Sequence, residues 1–307
     1  MNSIIKVENL RKVYGDVIAV NDVSFEVRPG EIFGMVGPNG AGKTTTVECL
    51  EGLRKPDGGE ITILGLDPRV DRHELRERTG IQLQQSVLPA RMKVWEALDL
   101  YASFYQRPLD WRGVMEQLGL GSKRGAAFGK LSGGQKQRLF IALALLPDPE
   151  IVFLDELTTG LDPQARHATW DLIRDVRDRG KTVYLTTHFM EEAQNLCDRV
   201  AILDHGRLID LDTPENLIDR IGMGERVVFS VSGMLPEGFA KALPQGVQLT
   251  CEDDRVIVTA ENRSKGELVG EVVQLLTQMQ VPFHDLRSEQ ASLEDVFLKL
   301  TGNEMRE

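Results

Sequence analysis

No apolar run in this chain approaches the ~18 residues that suggest a membrane-spanning helix. The best, LFIALALL at Leu139–Leu146, is far too short. The N-terminal stretch MNSIIKVENLRK lacks the apolar core and small-residue cleavage site of a secretory signal. Cysteine is scarce and odd in number: Cys49, Cys197 and Cys251 are scattered, which argues against a disulfide framework and against a cysteine metal site. These absences together predict a cytosolic protein. Long tracts of Lys or Arg are also missing, and the net charge is −11. That disfavours nonspecific nucleic-acid binding, which rests on clustered cations, and leaves a local basic groove open. An acidic body is instead suited to the Lys/Arg-rich cytoplasmic loops of a membrane protein.

What is present is ordinary in bulk and specific in pattern. The 307 residues, 41% hydrophobic and 27% charged, are enough for one large domain plus a small one. Strand-like alternation marks Ile4–Glu8, Val23–Val27 and Glu60–Ile63, with Arg28-Pro29-Gly30 as a turn. Between them, Ile32–Val36 is continuously apolar, as in a strand buried on both faces of a parallel sheet. Ile151–Leu154 and Thr182–Leu185 repeat that character and are separated by helical segments. This alternation predicts an α/β core with an antiparallel addition. The stretch from about 86 to 147 reads as helical, and Val94, Trp95, Leu98, Tyr101 and Phe104 share one face that is expected to be core.

Thr213-Pro214 supplies an N-cap and first helical residue, and the short helix it opens runs into Gly222-Met223-Gly224. A domain boundary is placed there, giving domains 1–221 and 222–307. Beyond it come strand patterns at 226–231, 247–251 and 255–259, and a helix over 266–279. A strand near 282–286 and a helix over 293–300 follow. The order is that of a small α+β domain of ferredoxin-like type.

Gly37-Pro38-Asn39-Gly40-Ala41-Gly42-Lys43-Thr44 satisfies G-x-x-x-x-G-K-[ST] between a buried strand and a helix read as Thr45–Leu53. Backbone N–H groups of such a loop close on phosphates, Thr45 included. Lys43 adds a positive charge, and Thr44 offers a hydroxyl to Mg²⁺. Binding of a nucleoside triphosphate, ATP with Mg²⁺, follows. The strand Ile151–Leu154 ends in Asp155-Glu156. Asp155 suits the metal and its waters, while Glu156 suits the attacking water as general base. Two acids at a strand end also suit a plain loop cap, and the phosphate loop favours the first reading. His188 ends the strand Val183–Thr187, where it can meet a γ-phosphate or be merely hydrogen-bonded.

The stretch Leu131-Ser132-Gly133-Gly134-Gln135 opens a helix with an S-x-x-Q capping box. Two glycines in the first turn are more than a capping box needs, since each costs ~1 kcal/mol against alanine. Bare N–H groups at a helix start suit a second phosphate contact.

With these motifs together, about the first 215 residues closely resemble the ATP-binding subunits of ABC transporters. The resemblance implies a P-loop NTPase core of ABC type with an antiparallel β subdomain and a helical subdomain. It further implies that Tyr14, in Lys12-Val13-Tyr14-Gly15, stacks on adenine. Gln84, favoured over Gln85 by counting back from Val94-Trp95-Glu96, matches the glutamine that senses Mg²⁺ and communicates with the membrane partner. Asp162, in Gly160-Leu161-Asp162, matches the aspartate that faces a second subunit. Head-to-tail dimerisation is implied as well, with ATP between Gly37–Thr44 of one copy and Ser132–Gln135 of the other. The simplest assembly is a homodimer beside a separate polytopic permease, peripheral on the inner face of the cell membrane.

Gly80-Ile81-Gln82-Leu83-Gln84 and Ser292-Leu293-Glu294-Asp295-Val296-Phe297 resemble the drug-export branch typified by daunorubicin-resistance ATPases. One departure is Leu157, where that family has proline; without its restraint on φ a looser loop and an altered rate are expected. Two other functions fit the sequence less well. A soluble ABC-type ATPase on DNA or ribosomes is disfavoured by the missing coiled-coil insertion and basic tracts. An importer ATPase is disfavoured by the C-terminal domain.

Overall fold

The computed structural model describes residues 3–82, 87–221, 226–231, 235–236, 238–244, 246–252, 255–260, 267–289 and 291–302. The chain divides into two compact units, one reaching Pro214 and the other Glu215–Glu304.

The first unit begins with β1 (Ile5–Tyr14) and β2 (Val17–Val27), an antiparallel hairpin whose inward residues Ile5, Val7, Leu10, Val20, Val23 and Phe25 are buried. The strand β3 (Ile32–Val36) follows, buried at every position as its apolar run requires. The helix α1 (Lys43–Leu50) leads to β4 (Gly58–Ile63), which pairs with β1 to complete a three-stranded antiparallel sheet. Next come α2 (Arg72–Arg78), β5 (Thr79–Gln82), α3 (Val94–Ala102), α4 (Trp111–Gln117) and α5 (Gly133–Leu145). Strand and helix then alternate through β6 (Ile151–Asp155), α6 (Pro163–Asp178), β7 (Thr182–Thr187), α7 (Met190–Leu196) and β8 (Arg199–Asp204), closing with β9 (Arg207–Asp212).

The central sheet has the order β5-β6-β7-β3-β8-β9, parallel except for the last pair. The expected α/β core with an antiparallel addition is therefore what forms. Phe25, Phe33, Phe153 and Tyr184 cluster where the two sheets share one core, with ring centroids 5.4–6.1 Å apart.

Two local expectations change. The helix after the phosphate loop starts two residues earlier than read, at Lys43, and ends at Leu50. It stops because Gly52 adopts φ +68 and its N–H turns back to the Cys49 carbonyl, the usual glycine exit. The apolar face of α3 buries Val94 and Leu98 as expected, but Phe104 is 63% exposed. The helix ends at Ala102, so its periodicity does not carry that ring inward.

The second unit holds α8 (Pro214–Arg220) from Glu215 onward, β10 (Arg226–Val231), α9 (Phe239–Ala242), β11 (Val247–Glu252), β12 (Arg255–Ala260), α10 (Glu267–Gln278), β13 (Phe283–Glu289) and α11 (Leu293–Thr301). Its sheet order, β11-β12-β10-β13, is antiparallel throughout. That is the split βαβ, ferredoxin-like arrangement. Phe229, Phe239, Leu268, Val272 and Leu276 build its own core. Ser292 caps α11 through a capping box with Asp295, which also binds Arg226 at 3.0 Å.

Gly80 of β5 shows how tightly α5 lies on the central sheet. A Cβ there would stand 2.0 Å from the Ala144 carbonyl oxygen of α5, whereas a Cβ at Gly113 of α4 meets nothing within 4 Å. Gly80→Ala is expected to destabilise the first unit by about 1–3 kcal/mol, and Gly113→Ala to be neutral or stabilising by up to ~1 kcal/mol. Denaturant unfolding followed by tryptophan fluorescence checks both, because Trp95, Trp111 and Trp170 all belong to that unit.

Candidate functional site

The loop between β3 and α1 turns through two left-handed glycines, Gly40 at φ +83 and Gly42 at φ +103. Neighbouring backbone leaves no room for side chains at two of its positions. A Cβ on Gly37 would lie 2.1 Å from the Leu203 oxygen, and one on Gly42 would lie 2.4 Å from the Ala19 oxygen. Asn39 and Gly40 form the exposed crest, while Ala41 is buried. The Ala41 N–H returns to the Pro38 carbonyl at 3.1 Å. Gly42 is the N-cap of α1 and offers no side-chain acceptor, so the N–H groups of the first turn, Thr44 and Thr45 among them, are free for an anion.

Lys43 is 4% exposed, and its ammonium donates to the carbonyls of Gly37 at 2.8 Å and Pro38 at 3.1 Å. Glu156 Oε1 stands 3.8 Å from that nitrogen, an ion-pair distance too long for a hydrogen bond. Burial lowers the lysine pKa, and the carboxylates of Glu156 and Asp155 oppose that shift. His188, at the end of β7, places Nδ1 3.4 Å from the same Glu156 oxygen.

Asp155 ends β6 and is 2% exposed. Burial raises its pKa, against hydrogen bonds from the hydroxyls of Thr186 and Thr44. Glu156 follows with φ +48, a conformation that bulky residues rarely adopt. This turn swings its carboxylate from the strand end toward Lys43 and His188, while its N–H donates to the Thr186 carbonyl at 3.1 Å. Leu157 is 4% exposed. Its side chain therefore packs inside the loop.

Thr44 and Asp155 form a paired hydroxyl and carboxylate, hard oxygen donors of the kind Mg²⁺ takes. Among the described residues no cluster of three or more His, Cys, Asp or Glu could hold a metal. Mg²⁺ would therefore draw its remaining ligands from phosphate and water, its usual habit at such sites. Gln84 lies outside the described residues.

Tyr14 is 39% exposed at the tip of the β1–β2 hairpin, with Lys12 and Arg54 over its ring at 5.3 and 5.7 Å. The hairpin continues directly to Ala19, whose carbonyl abuts Gly42. Ser132 caps α5: its N–H donates to Gln135 Oε1 at 3.1 Å and its Oγ accepts the Gln135 N–H at 3.3 Å. Asp162 caps α6 by accepting the Ala165 N–H at 2.8 Å. A Cβ on Gly133 would meet Leu161 at 3.4 Å, and one on Gly134 would meet Ala165 at 3.3 Å. The starts of α5 and α6 thus adjoin within one chain, an intrachain role for these glycines that spacing did not reveal.

Sequence reasoning also missed Thr186, whose hydroxyl donates to the Asp155 carboxylate and which accepts the Glu156 backbone N–H, and Glu51 at the end of α1. Both oxygens of Glu51 are buried without a partner, near Leu50, Leu75, Ile81 and Phe153. Desolvation, with Asp155 and Glu48 adding repulsion, raises its pKa from 4.5 to about 8. A lone glutamate inside a helical pattern carries no sequence signal of this.

Comparison with known proteins places the chain among relatives of one family and fold. The family described as "ABC transporter" matches residues 20–159. A Nod factor export ATP-binding protein I from Ralstonia nicotianae is 38% identical over 99% of this chain and 95% of its own length. The protein of that name from Rhizobium etli is 38% identical over 97% of this chain and 93% of its own. Among solved structures, an ATP-binding subunit of an ABC transporter superposes with TM-score 0.64 at 28% identity, covering 72% of this chain and 94% of that one. A dimeric ATP-binding cassette in a post-hydrolysis state with ADP and phosphate superposes with TM-score 0.62 at 26% identity, covering 68% and 98%.

Glu51 makes a signed prediction. Between pH about 5 and 8 the folded state keeps a proton that the unfolded chain has released, so stability falls as pH rises through that window. Glu51→Gln is expected to flatten the fall and to exceed the parent at pH 8 by on the order of 3 kcal/mol. Tryptophan-monitored unfolding at several pH values measures it; an unchanged slope would contradict the assignment.

Proposed function

The chain belongs to the ABC transporter family as an ATP-binding subunit, and on that premise we propose that it hydrolyses ATP to power a separate membrane permease. The observation that carries this reading is Lys43, its ammonium between two loop carbonyls and the Glu156 carboxylate, with His188 beyond. ATP entering the loop replaces those carbonyls around Lys43 with phosphate oxygens, while the first N–H groups of α1 face the same anion. Thr44 and Asp155 would hold Mg²⁺, with Gln84 as a further ligand by resemblance to the family. Mg²⁺, when bound, neutralises charge on the phosphates. Glu156 then orients and deprotonates the attacking water, and His188 touches the γ-phosphate oxygens.

Two copies dimerise head to tail, each Ser132–Gln135 helix start meeting the γ-phosphate held by the other copy and Asp162 facing the partner. ATP favours the closed pair because it binds that state better than the open one. Hydrolysis removes the γ-phosphate contact and loosens the interface. Tyr14 stacks on the adenine. Residues 1–221 form the motor and 222–307 an accessory domain.

Export is the direction we infer, since relatives similar over nearly the whole chain carry an export name. The cargo is a drug-like or lipophilic compound recognised by the permease. The daunorubicin-resistance branch is supported by the Gly80–Gln84 and Ser292–Phe297 stretches. Among the described residues no helix is long and apolar enough to cross a membrane, which fits a motor docked on a separate channel.

Glu156→Gln is expected to keep ATP binding, to lower turnover by roughly 10²–10⁴-fold, and to accumulate an ATP-bound dimer. Phosphate release and light scattering on the purified chain check this; normal turnover would remove Glu156 as the base. Ser132→Arg is expected to preserve nucleotide binding by the monomer and abolish ATP-driven dimerisation. Dimers forming normally in that variant would sink the head-to-tail arrangement.

A further inference from the structure

A cavity of about 260 Å³ opens far from the phosphate loop in sequence, where α4, α5 and α6 end together. Its wall is apolar: Leu109, Val114 of α4, Leu145 of α5 and Val176 of α6. Val114, Leu145 and Val176 are each buried. The rim carries two cations and the carboxylate of Asp148, and the two cations are not equivalent. Lys181 pairs with Asp148 at 2.6 Å and is thereby neutralised. Arg179 is the exposed C-cap of α6; its backbone N–H donates to the Arg177 carbonyl, but its guanidinium has no hydrogen bond or ion pair to any described residue. An apolar chamber with one uncommitted guanidinium at its mouth is complementary to a molecule with an apolar body and a single negative end. A dianion would find no second free cation, and a cation would meet Arg179 directly. The volume lies just below the ~300–1,000 Å³ of drug-sized sites, so the occupant is smaller than a drug.

We propose that this cavity is a binding site for a small apolar monoanion, a medium-chain or aryl carboxylate, whose carboxylate is gripped by the fork of Arg179. Arginine presents paired N–H groups that match a carboxylate, which favours this head group over a thiolate or phenolate. The walls explain why such a ligand matters. The 13-residue α5 begins next to Ser132 and ends at Leu145 on the cavity. The 16-residue α6 begins at Asp162's cap and ends at Arg179. The helices are about 20 and 24 Å long, and they touch again at their starts through Gly134 and Ala165. A ligand wedged between their far ends therefore bears on the two helix starts assigned to the partner's ATP. That consequence rests on the ATPase reading above, whereas binding itself does not.

Titration calorimetry of the full chain with sodium octanoate as probe tests the site, with octylammonium chloride as the same body bearing the opposite charge. Octanoate is expected to bind with Kd between about 10 μM and 1 mM, and octylammonium at least about tenfold more weakly. Arg179→Glu, at an exposed position, should cost at least about tenfold in octanoate affinity. Val114→Trp should block binding by filling the chamber; if that variant does not fold, Arg179→Glu still decides. No octanoate binding up to about 10 mM, equal binding of the two probes, or an unaffected Arg179→Glu would each overturn the proposal. Octanoate binding that leaves the ATP hydrolysis rate unchanged would overturn the coupling through α5 and α6.

Discussion

Everything at the phosphate loop depends on one buried charge. The Lys43 ammonium is almost wholly removed from water, and an isolated ammonium in such a place would be neutralised by a lowered pKa. It stays useful because two carboxylates and two carbonyls converge on it. Those groups come from separate strand ends, and only the order β6-β7-β3 brings them together. β7 stands between the strand that delivers Asp155 and the one that delivers Lys43, and Thr186 of β7 bonds the acid. The sheet order is thus the geometric precondition for an anion site at the carboxyl ends of the parallel strands, where open α/β sheets bind their ligands.

Backbone strain is placed at the same spot. Glu156 has a left-handed φ that costs a bulky residue about 1 kcal/mol or more. The surrounding structure fixes it: its N–H is bound to Thr186, and Leu157 and Thr158 directly after it are buried. A strand that simply continued would alternate its side chains across the sheet. The turned residue instead brings its carboxylate to within 3.8 Å of Lys43 and 3.4 Å of His188. Leu157, at the position where the resemblance leads one to expect proline, packs inside beneath this turn.

The fold was readable in the sequence wherever its cause is local. Alternating and continuous apolar runs located the strands, and the glycine spacing located the phosphate loop, because both patterns reflect backbone geometry within a few residues. Even the ferredoxin-like tail followed from element order alone. What escaped was nonlocal. The end of α1 depends on a left-handed Gly52, and the exposure of Phe104 depends on where α3 stops. Glu51 looks like any surface glutamate in a helical stretch, and only the packing of Leu75, Ile81 and Phe153 around it buries the carboxylate. Thr186 is one of two adjacent threonines at a strand end, and which of them meets Asp155 is set by the β6–β7 register.

The signature stretch shows how a motif can serve two demands with adjacent residues. Ser132 and Gly133 are exposed, and the hydroxyl of Ser132 is already engaged in its own capping box. Gly134 is half-buried, and a methyl group there would press on Ala165 of α6 at 3.3 Å, tight for any Cβ. Gly133 meets Leu161 only at ordinary van der Waals distance. The second glycine therefore earns its place by packing two helix starts together inside one chain. The first, with Ser132, is left to present bare N–H groups outward. A substitution at Gly134 would disturb the α5–α6 pair directly, so the part of the motif left to face outward is shorter than the motif itself. It is the exposed Ser132-Gly133 corner, held in position by a packing contact one residue further on.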